Sequence, residues 1–225
     1  FSADPEEFAP VIALLIVVLT MLFSAISFGC CIMYAVRFYK NLFTDKGYIT
    51  WTLPASPLTQ LWAKILSASI WYVLDLTICF AAAWFLISGD NIQSALERIK
   101  PDFQAALGMS FSSFCGLVVF FSFVGILSCV LFIYTSIAIG QLVPAHRIIV
   151  SIAVYFILNL ITQIISIGVS IITSVFPDYV FSPAQTSFSE YFFQMLLIGT
   201  CTTTVLAIAG YFITYRILQR NVNLI

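Results

Sequence analysis

The chain alternates between long apolar runs and short polar segments. A helix rises ~1.5 Å per residue, so a run of about 20 apolar residues covers the ~30 Å hydrocarbon core of a bilayer. Backbone hydrogen bonds inside the bilayer have to be made within the segment itself, which favours helices. Five apolar runs meet the length requirement, and they predict membrane-spanning helices over residues 9–36, 61–87, 105–139, 148–175 and 191–215.

The composition agrees with lipid as the solvent for most of the chain. Hydrophobic residues make up 61% of the 225 residues and charged residues only 8%, whereas a soluble domain carries about 25% charged residues. We therefore predict an all-α, polytopic membrane helical bundle that forms a single domain over residues 1–225. Residue 1 is Phe rather than Met, and we expect the true N-terminus to precede it.

The positions of the lysines and arginines predict the orientation, because cytoplasmic loops carry an excess of both. If residues 37–60 face the cytoplasm, alternation of the spans puts seven of the nine basic residues on that side and two on the other. The seven are Arg37, Lys40, Lys46, Lys64, Arg147, Arg216 and Arg220, and the two are Arg98 and Lys100. This distribution predicts a multi-pass protein of the cell (plasma) membrane whose C-terminus is cytoplasmic.

The polar segment between the first two spans, residues 37–60, is the best candidate for a docking surface. Phe38, Leu42 and Phe43 recur at the four-to-five-residue spacing of one helical face. This spacing predicts a short amphipathic helix that Gly47 can end. On composition alone, an ordinary cytoplasmic loop whose aromatic side chains lie among the lipid headgroups is an equally good interpretation.

Two further signals lie on the same predicted side of the membrane. Ser56 followed by Pro57 predicts the start of the second span, since a hydroxyl caps the first turn and proline fits its first position. The short polar connection between the third and fourth spans is a second candidate contact point for a cytoplasmic partner. Its candidate residues are Gln141, Pro144, His146 and Arg147.

One ionisable side chain, Asp75, falls in the middle of a span. Burying it costs ~2.5–3.5 kcal/mol on insertion scales, so a function or a partner is expected to compensate. Asp75, Asn159 and Gln163 are candidate polar elements of a translocation path; alternatively, Asp75 hydrogen-bonds Asn159 or Gln163 and sets the register of two helices. A protonated or locally satisfied carboxyl group is the alternative. Asn159 and Gln163 belong to a polar seam on the fourth span, which is more typical of helix packing than of a ligand site.

The sequence carries no recognisable set of catalytic residues. It contains no GxxxxGK[ST] phosphate loop, no HExxH or GxSxG motif and no pair of carboxylates inside a span. The six cysteines lie in hydrophobic runs without a CxxC pair, and the chain has one histidine, so neither a metal site nor a disulfide framework is indicated. No basic patch for nucleic acid is present. We expect the chain itself to bind no cofactor and no metal.

The segment FYKNLFTDKGYITWTLPASPLTQLWAKILSASIW resembles the signature of bacterial ABC-transporter permeases of the type-2, exporter-like class. In that family a lysine or aspartate, a glycine and a tyrosine precede threonine, leucine, proline and serine, and the next span carries a leucine and a lysine. The matching residues are Asp45, Gly47, Tyr48, Thr52, Leu53, Pro54, Ser56, Leu61 and Lys64. The tail YRILQRNVNL and the segment IAIGQL are similar to the family's basic C-terminus and second inner loop.

The resemblance implies a permease of six spans, of which the first is missing before Phe1. Such a permease works as a homodimer or heterodimer with two cytoplasmic ATP-binding subunits, and these hold ATP and magnesium. Residues 37–60 would form the coupling loop that docks on an ATP-binding subunit. The residues assigned to this contact are Phe38, Tyr39, Leu42, Phe43, Asp45, Lys46, Gly47, Tyr48, Thr52, Leu53, Pro54 and Ser56.

The predicted function is that of a transmembrane permease subunit of an ATP-driven exporter, which is not itself an enzyme. Two alternatives remain. A non-transporting membrane scaffold or sensor subunit would dock a cytoplasmic partner through the same loop. A secondary transporter driven by an ion gradient should show more intramembrane charges than Asp75 and an internal repeat, and we find neither.

Overall fold

The computed structural model describes residues 5–44, 47, 52, 56–87, 97, 100–101, 103–105, 107–176, 179 and 188–220. Most of these residues are helical, and none of them lies in a strand. The long helices are α1 (Pro5–Phe43), α2 (Pro57–Ile87), α3 (Phe111–Gly140), α4 (Arg147–Ile172) and α5 (Phe188–Arg220). Each is long and apolar enough to cross a membrane. The predicted all-α, multi-pass membrane fold is confirmed.

The start of α2 is the one that the sequence predicts. The hydroxyl oxygen of Ser56 accepts a hydrogen bond of 3.2 Å from the backbone N–H of Thr59. Pro57 is the first helical residue. Its fixed φ suits the helix, and the N–H group that proline lacks would have no acceptor within the helix at this position.

The third span begins later than the predicted residue 105. Gly108 has a left-handed φ of 67°, a conformation that glycine adopts without steric cost and that interrupts the helical path. The hydroxyl oxygen of Ser110 then accepts a hydrogen bond from the backbone N–H of Ser113 at 3.3 Å. This cap starts α3 at Phe111.

The amphipathic turns predicted after the first span belong to α1, which ends at Phe43 and not at the predicted Gly47; Gly47 is itself helical. α1 runs without a break through Phe43 and has 39 residues. At ~1.5 Å per residue it is ~58 Å long and extends well beyond a ~30 Å hydrocarbon core. The amphipathic spacing of Phe38, Leu42 and Phe43 is present, but it belongs to the last turns of α1.

α3 is the central helix of the described bundle. It contacts each of the other four helices, whereas α1 contacts only α2 and α3. The buried core gathers where α1, α3 and α5 end and α2 begins, and we call this region the packed end. Its core residues are Tyr34, Phe38, Leu42, Phe43, Leu61, Ile65, Ala68, Tyr72, Val130, Ile133, Tyr134, Ile137 and Leu218.

Away from the packed end, large apolar side chains face outward. Met21 and Phe28 on α1 are each 68% exposed, and Ile164 on α4 is 60% exposed. In water such surfaces would be costly, but lipid tails are as apolar as these side chains and cover them at no penalty. The exposed positions therefore agree with a chain whose solvent is the bilayer.

Candidate functional site

An aromatic contact joins the end of α1 to the centre of the bundle. The rings of Phe38 and Tyr134 stack with their centroids 3.8 Å apart and their planes 10° apart. The Tyr134 hydroxyl donates a hydrogen bond of 3.1 Å to the backbone carbonyl oxygen of Lys64 on α2. Phe38, Leu42 and Phe43 are buried, with exposed fractions of 1%, 0% and 3%. These three predicted docking residues are therefore core residues at the end of α1, where it packs on α2 and α3.

The opposite face of the same turns is basic. Arg37 and Lys40 are exposed, and we call these two residues the basic face; Tyr39 and Asn41 are half-buried. The Thr44 hydroxyl donates a hydrogen bond of 2.6 Å to the Lys40 carbonyl oxygen, just beyond the last residue of α1. Because the aromatic face is covered within the chain, a partner that docks on the end of α1 would meet the basic face.

The remaining residues of the predicted coupling segment lie between α1 and α2. Gly47 is buried, and its backbone N–H donates a hydrogen bond of 2.6 Å to the Thr44 carbonyl oxygen. Thr52 and Ser56 are exposed. The docking role of this segment stays a prediction. The residues Asp45, Lys46, Tyr48, Leu53 and Pro54 lie outside the described part of the chain.

The turn between α3 and α4 lies at the packed end and is the predicted second contact point. The side-chain amide atoms of Gln141 and the Nε atom of Arg147 are buried without a hydrogen-bond partner. The exposed side chains of the turn are those of Leu142, Val143, Pro144, Ala145 and His146. Exposed apolar residues beside polar groups are suited to a protein contact. Leu142 and Val143 were not among the predicted site residues.

A depression along α5 combines apolar and polar side chains near the packed end. Its volume is about 660 Å³, and it is lined by Phe212, Ile213, Tyr215, Arg216 and Gln219. The side-chain amide nitrogen of Gln219 donates a hydrogen bond to the Tyr215 hydroxyl. Arg216 is exposed, so the described part of the packed end carries cations on α1, α4 and α5.

Asp75 has a partner on a different helix from the one predicted. The Ser27 hydroxyl on α1 donates a hydrogen bond of 3.1 Å to Oδ2 of Asp75 on α2. The predicted bonds to Asn159 or Gln163 are wrong, because α2 and α4 make no contact within the described chain. The Asn159 side-chain amide instead donates to the Tyr155 carbonyl oxygen of its own helix at 2.8 Å, and Gln163 is exposed.

The polar seam of α4 packs against α5. The hydroxyls of Ser166 and Thr202 hydrogen-bond across the two helices. The Thr162 hydroxyl donates to its own helix at the Leu158 carbonyl oxygen, 2.8 Å away, and is buried. These contacts favour helix packing, the interpretation that the sequence also favoured.

The sequence indicates that the cysteines are packing residues; four of them are half-buried, whereas Cys115 and Cys201 are exposed. All six cysteines are free, and the Cys129 sulfur lies 4.0 Å from the Tyr155 hydroxyl oxygen. Within the described residues no group of three histidine, cysteine, aspartate or glutamate side chains could hold a metal ion. The chain matches no family model, no curated protein and no solved structure. A functional assignment therefore depends on the residues of the chain itself.

Proposed function

We propose that the chain is the transmembrane permease subunit of an ATP-driven ABC exporter. The packing at the end of α1 supports this function best. Arg37 and Lys40 are exposed, while the Phe38 ring between them in sequence stacks on Tyr134 of the central helix. A partner that binds the basic face would therefore displace α1 together with α3. The resemblance of residues 37–64 to exporter-type permeases supports an ATP-binding subunit as this partner.

In the proposed mechanism, closure of two ATP-binding subunits moves the last turns of α1 as a rigid lever. The lever is rigid because Phe38 and Leu42 are almost fully buried. Its movement reaches α2 as well, since the Tyr134 hydroxyl is bonded to the Lys64 carbonyl oxygen. Coupling of this kind requires partner contacts that differ between two states of the transporter. The exposed basic face supplies contacts that closure of the subunits can change.

The charge distribution supports a cytoplasmic location for the packed end. Arg37, Lys40, Arg147 and Arg216 all lie there, and positive charge accumulates on the cytoplasmic side of membrane proteins. ATP and magnesium would be held by the partner subunits, and this chain would contribute no catalytic group to hydrolysis. A second permease chain, identical or paralogous, would complete the translocation path.

A membrane scaffold or sensor subunit is the second candidate. It would use the same exposed basic face and the same turn between α3 and α4 to hold a soluble partner. Its partner would not need to bind ATP, and the chain itself would move no substrate. The composition of the purified complex separates the two candidates.

Native mass spectrometry of the complex in mild detergent, with peptide sequencing of each subunit, tests the proposal. We expect two ATP-binding subunits for each pair of permease chains. Lys40→Glu should lower the bound fraction severalfold, because it reverses a charge on the docking surface. Lys100→Glu, which reverses an exposed charge predicted on the other side of the membrane, is the matched control. A chain found alone, or with a partner that lacks an ATP site, would contradict the permease function.

A further inference from the structure

A crevice lies between α2 and α3, away from the packed end. Its volume is about 400 Å³, which is within the range of ~300–1,000 Å³ that small-molecule sites occupy. The crevice is bounded by one stretch of each helix, 73–80 on α2 and 116–123 on α3. The lining residues are Val73, Leu76, Thr77, Phe80, Gly116, Val119, Phe120 and Phe123.

The walls of this crevice offer a ligand almost no hydrogen bonding. Thr77 is the one polar side chain among the eight lining residues. Its hydroxyl already donates a hydrogen bond of 2.7 Å to the Val73 carbonyl oxygen of its own helix. A polar ligand would lose its hydrogen bonds to water on entering and would find no partners to replace them. The chemistry of the walls therefore selects a hydrocarbon.

The dimensions match a single hydrocarbon chain along the membrane normal. α2 and α3 run in opposite directions, so Phe80 and Gly116 lie farthest from the packed end and Val73 and Phe123 lie deepest. Seven helical rises of ~1.5 Å give a crevice length of ~10.5 Å, about two thirds of one ~15 Å leaflet. Gly116 keeps the entrance wide, since no atom lies within 4 Å of the position that a Cβ would take.

The crevice is open to the lipid around the two helices. Phe80, Val119, Phe120 and Phe123 of its lining are 38%, 44%, 59% and 45% exposed. A flexible acyl chain is much narrower than a helix and is already present in the surrounding solvent, so its local concentration is high.

We propose that this crevice binds an acyl chain of a phospholipid from the leaflet farther from the packed end. The phospholipid headgroup would lie at the membrane surface above Phe80 and Gly116, and its chain would extend along the crevice toward Val73 and Phe123. This binding does not depend on the proposed transport function, because no partner subunit and no nucleotide contributes to the site.

Photolabelling of the full chain in phosphatidylcholine vesicles tests the proposal, with a phosphatidylcholine that carries a diazirine on one acyl chain as the probe. Labelled residues are identified by peptide mass spectrometry. We expect labelling at 73–80 and 116–123 to exceed that of the lipid-facing residues Ile157 and Ile164 on α4 about fivefold, as ~1 kcal/mol of preferential binding would give. Equal labelling of the crevice and of α4 would overturn the proposal.

Filling the crevice provides the matched comparison. Gly116→Phe places a ring in the entrance and should reduce the labelling of the crevice to the level of α4. Gly125→Phe is the control. No atom lies within 4 Å of the Cβ position of Gly125 either. Gly125 follows Gly116 by nine residues, and nine steps of ~100° put it on the opposite face of α3, away from the crevice. If Gly116→Phe does not fold, Gly116→Leu takes its place. Wild-type labelling in the folded Gly116 variant would contradict acyl-chain binding.

Discussion

The ring of Phe38 stacks on that of Tyr134 at a centroid distance of 3.8 Å. The Tyr134 hydroxyl in turn donates a hydrogen bond of 3.1 Å to the Lys64 carbonyl oxygen. One aromatic pair thus connects α1, α2 and α3 where the predicted coupling segment begins. Through this contact, the exposed helical turn that carries Arg37 and Lys40 is joined to the central helix α3. The proposed lever depends on this connection.

Replacing Phe38 with alanine should destabilise the packed end. Phenylalanine-to-alanine changes in cores cost ~3–5 kcal/mol, and we expect a cost in this range because the Phe38 side chain is 1% exposed. Unfolding in mixed micelles by a denaturing detergent measures the change. Phe28→Ala on the same helix, at a side chain that is 68% exposed, should stay within ~0.5 kcal/mol of the wild type. Equal effects of both changes would rule out a packed contact at Phe38.

Removing the Ser27 hydroxyl tests the hydrogen bond to Asp75. Ser27→Ala should cost ~0.6 kcal/mol and at most ~1.7 kcal/mol, the range measured for interhelical hydrogen bonds in membranes. The same mixed-micelle unfolding measures it. Ser24→Ala is the control, since the Ser24 hydroxyl donates to the Thr20 carbonyl oxygen of its own helix at 2.7 Å. A Ser27 variant that is no less stable than the Ser24 variant would show that the bond contributes nothing.

A methyl group on Gly140 should disturb the contact between α3 and α4. Its Cβ would lie 2.8 Å from the Arg147 carbonyl oxygen and 2.9 Å from the Ser151 backbone nitrogen. Neither backbone atom can rotate away, so Gly140→Ala is expected to cost ~1–3 kcal/mol of stability. Gly125→Ala meets no atom within 4 Å and should gain up to ~1 kcal/mol from helix propensity. Thermal unfolding in detergent compares the two, and a neutral Gly140→Ala would show that the helices can separate there.

The spans could be predicted because apolar length is compared with a fixed bilayer thickness. The predicted fourth span, 148–175, and the observed helix Arg147–Ile172 differ by only a few residues. The start of α2 was predictable from Ser56 and Pro57, whose chemistry is local. The later start of α3 was missed because the left-handed conformation of Gly108 cannot be distinguished in sequence from glycine inside a helix.

Contacts between helices could not be predicted, since they depend on which helices are neighbours. Asp75 was assigned to α4, but α3 contacts both α2 and α4 while these two do not contact each other in the described chain. Tyr134 gave no signal, because it lies in a helix that is apolar on nearly every side. The spacing of Phe38 and Leu42 correctly indicated an amphipathic face. It did not indicate that the face is buried within the chain.

Site-directed photocrosslinking from position 40 tests the proposed docking surface most directly. The photoreactive residue benzoylphenylalanine replaces Lys40 in one variant and Phe28, a lipid-exposed position on the same helix, in the other. We predict that position 40 crosslinks to an ATP-binding subunit in native membranes, that the yield changes when a non-hydrolysable ATP analogue is bound, and that position 28 gives no such product. Crosslinks from position 40 to lipid alone, or to a partner without an ATP site, would contradict the account.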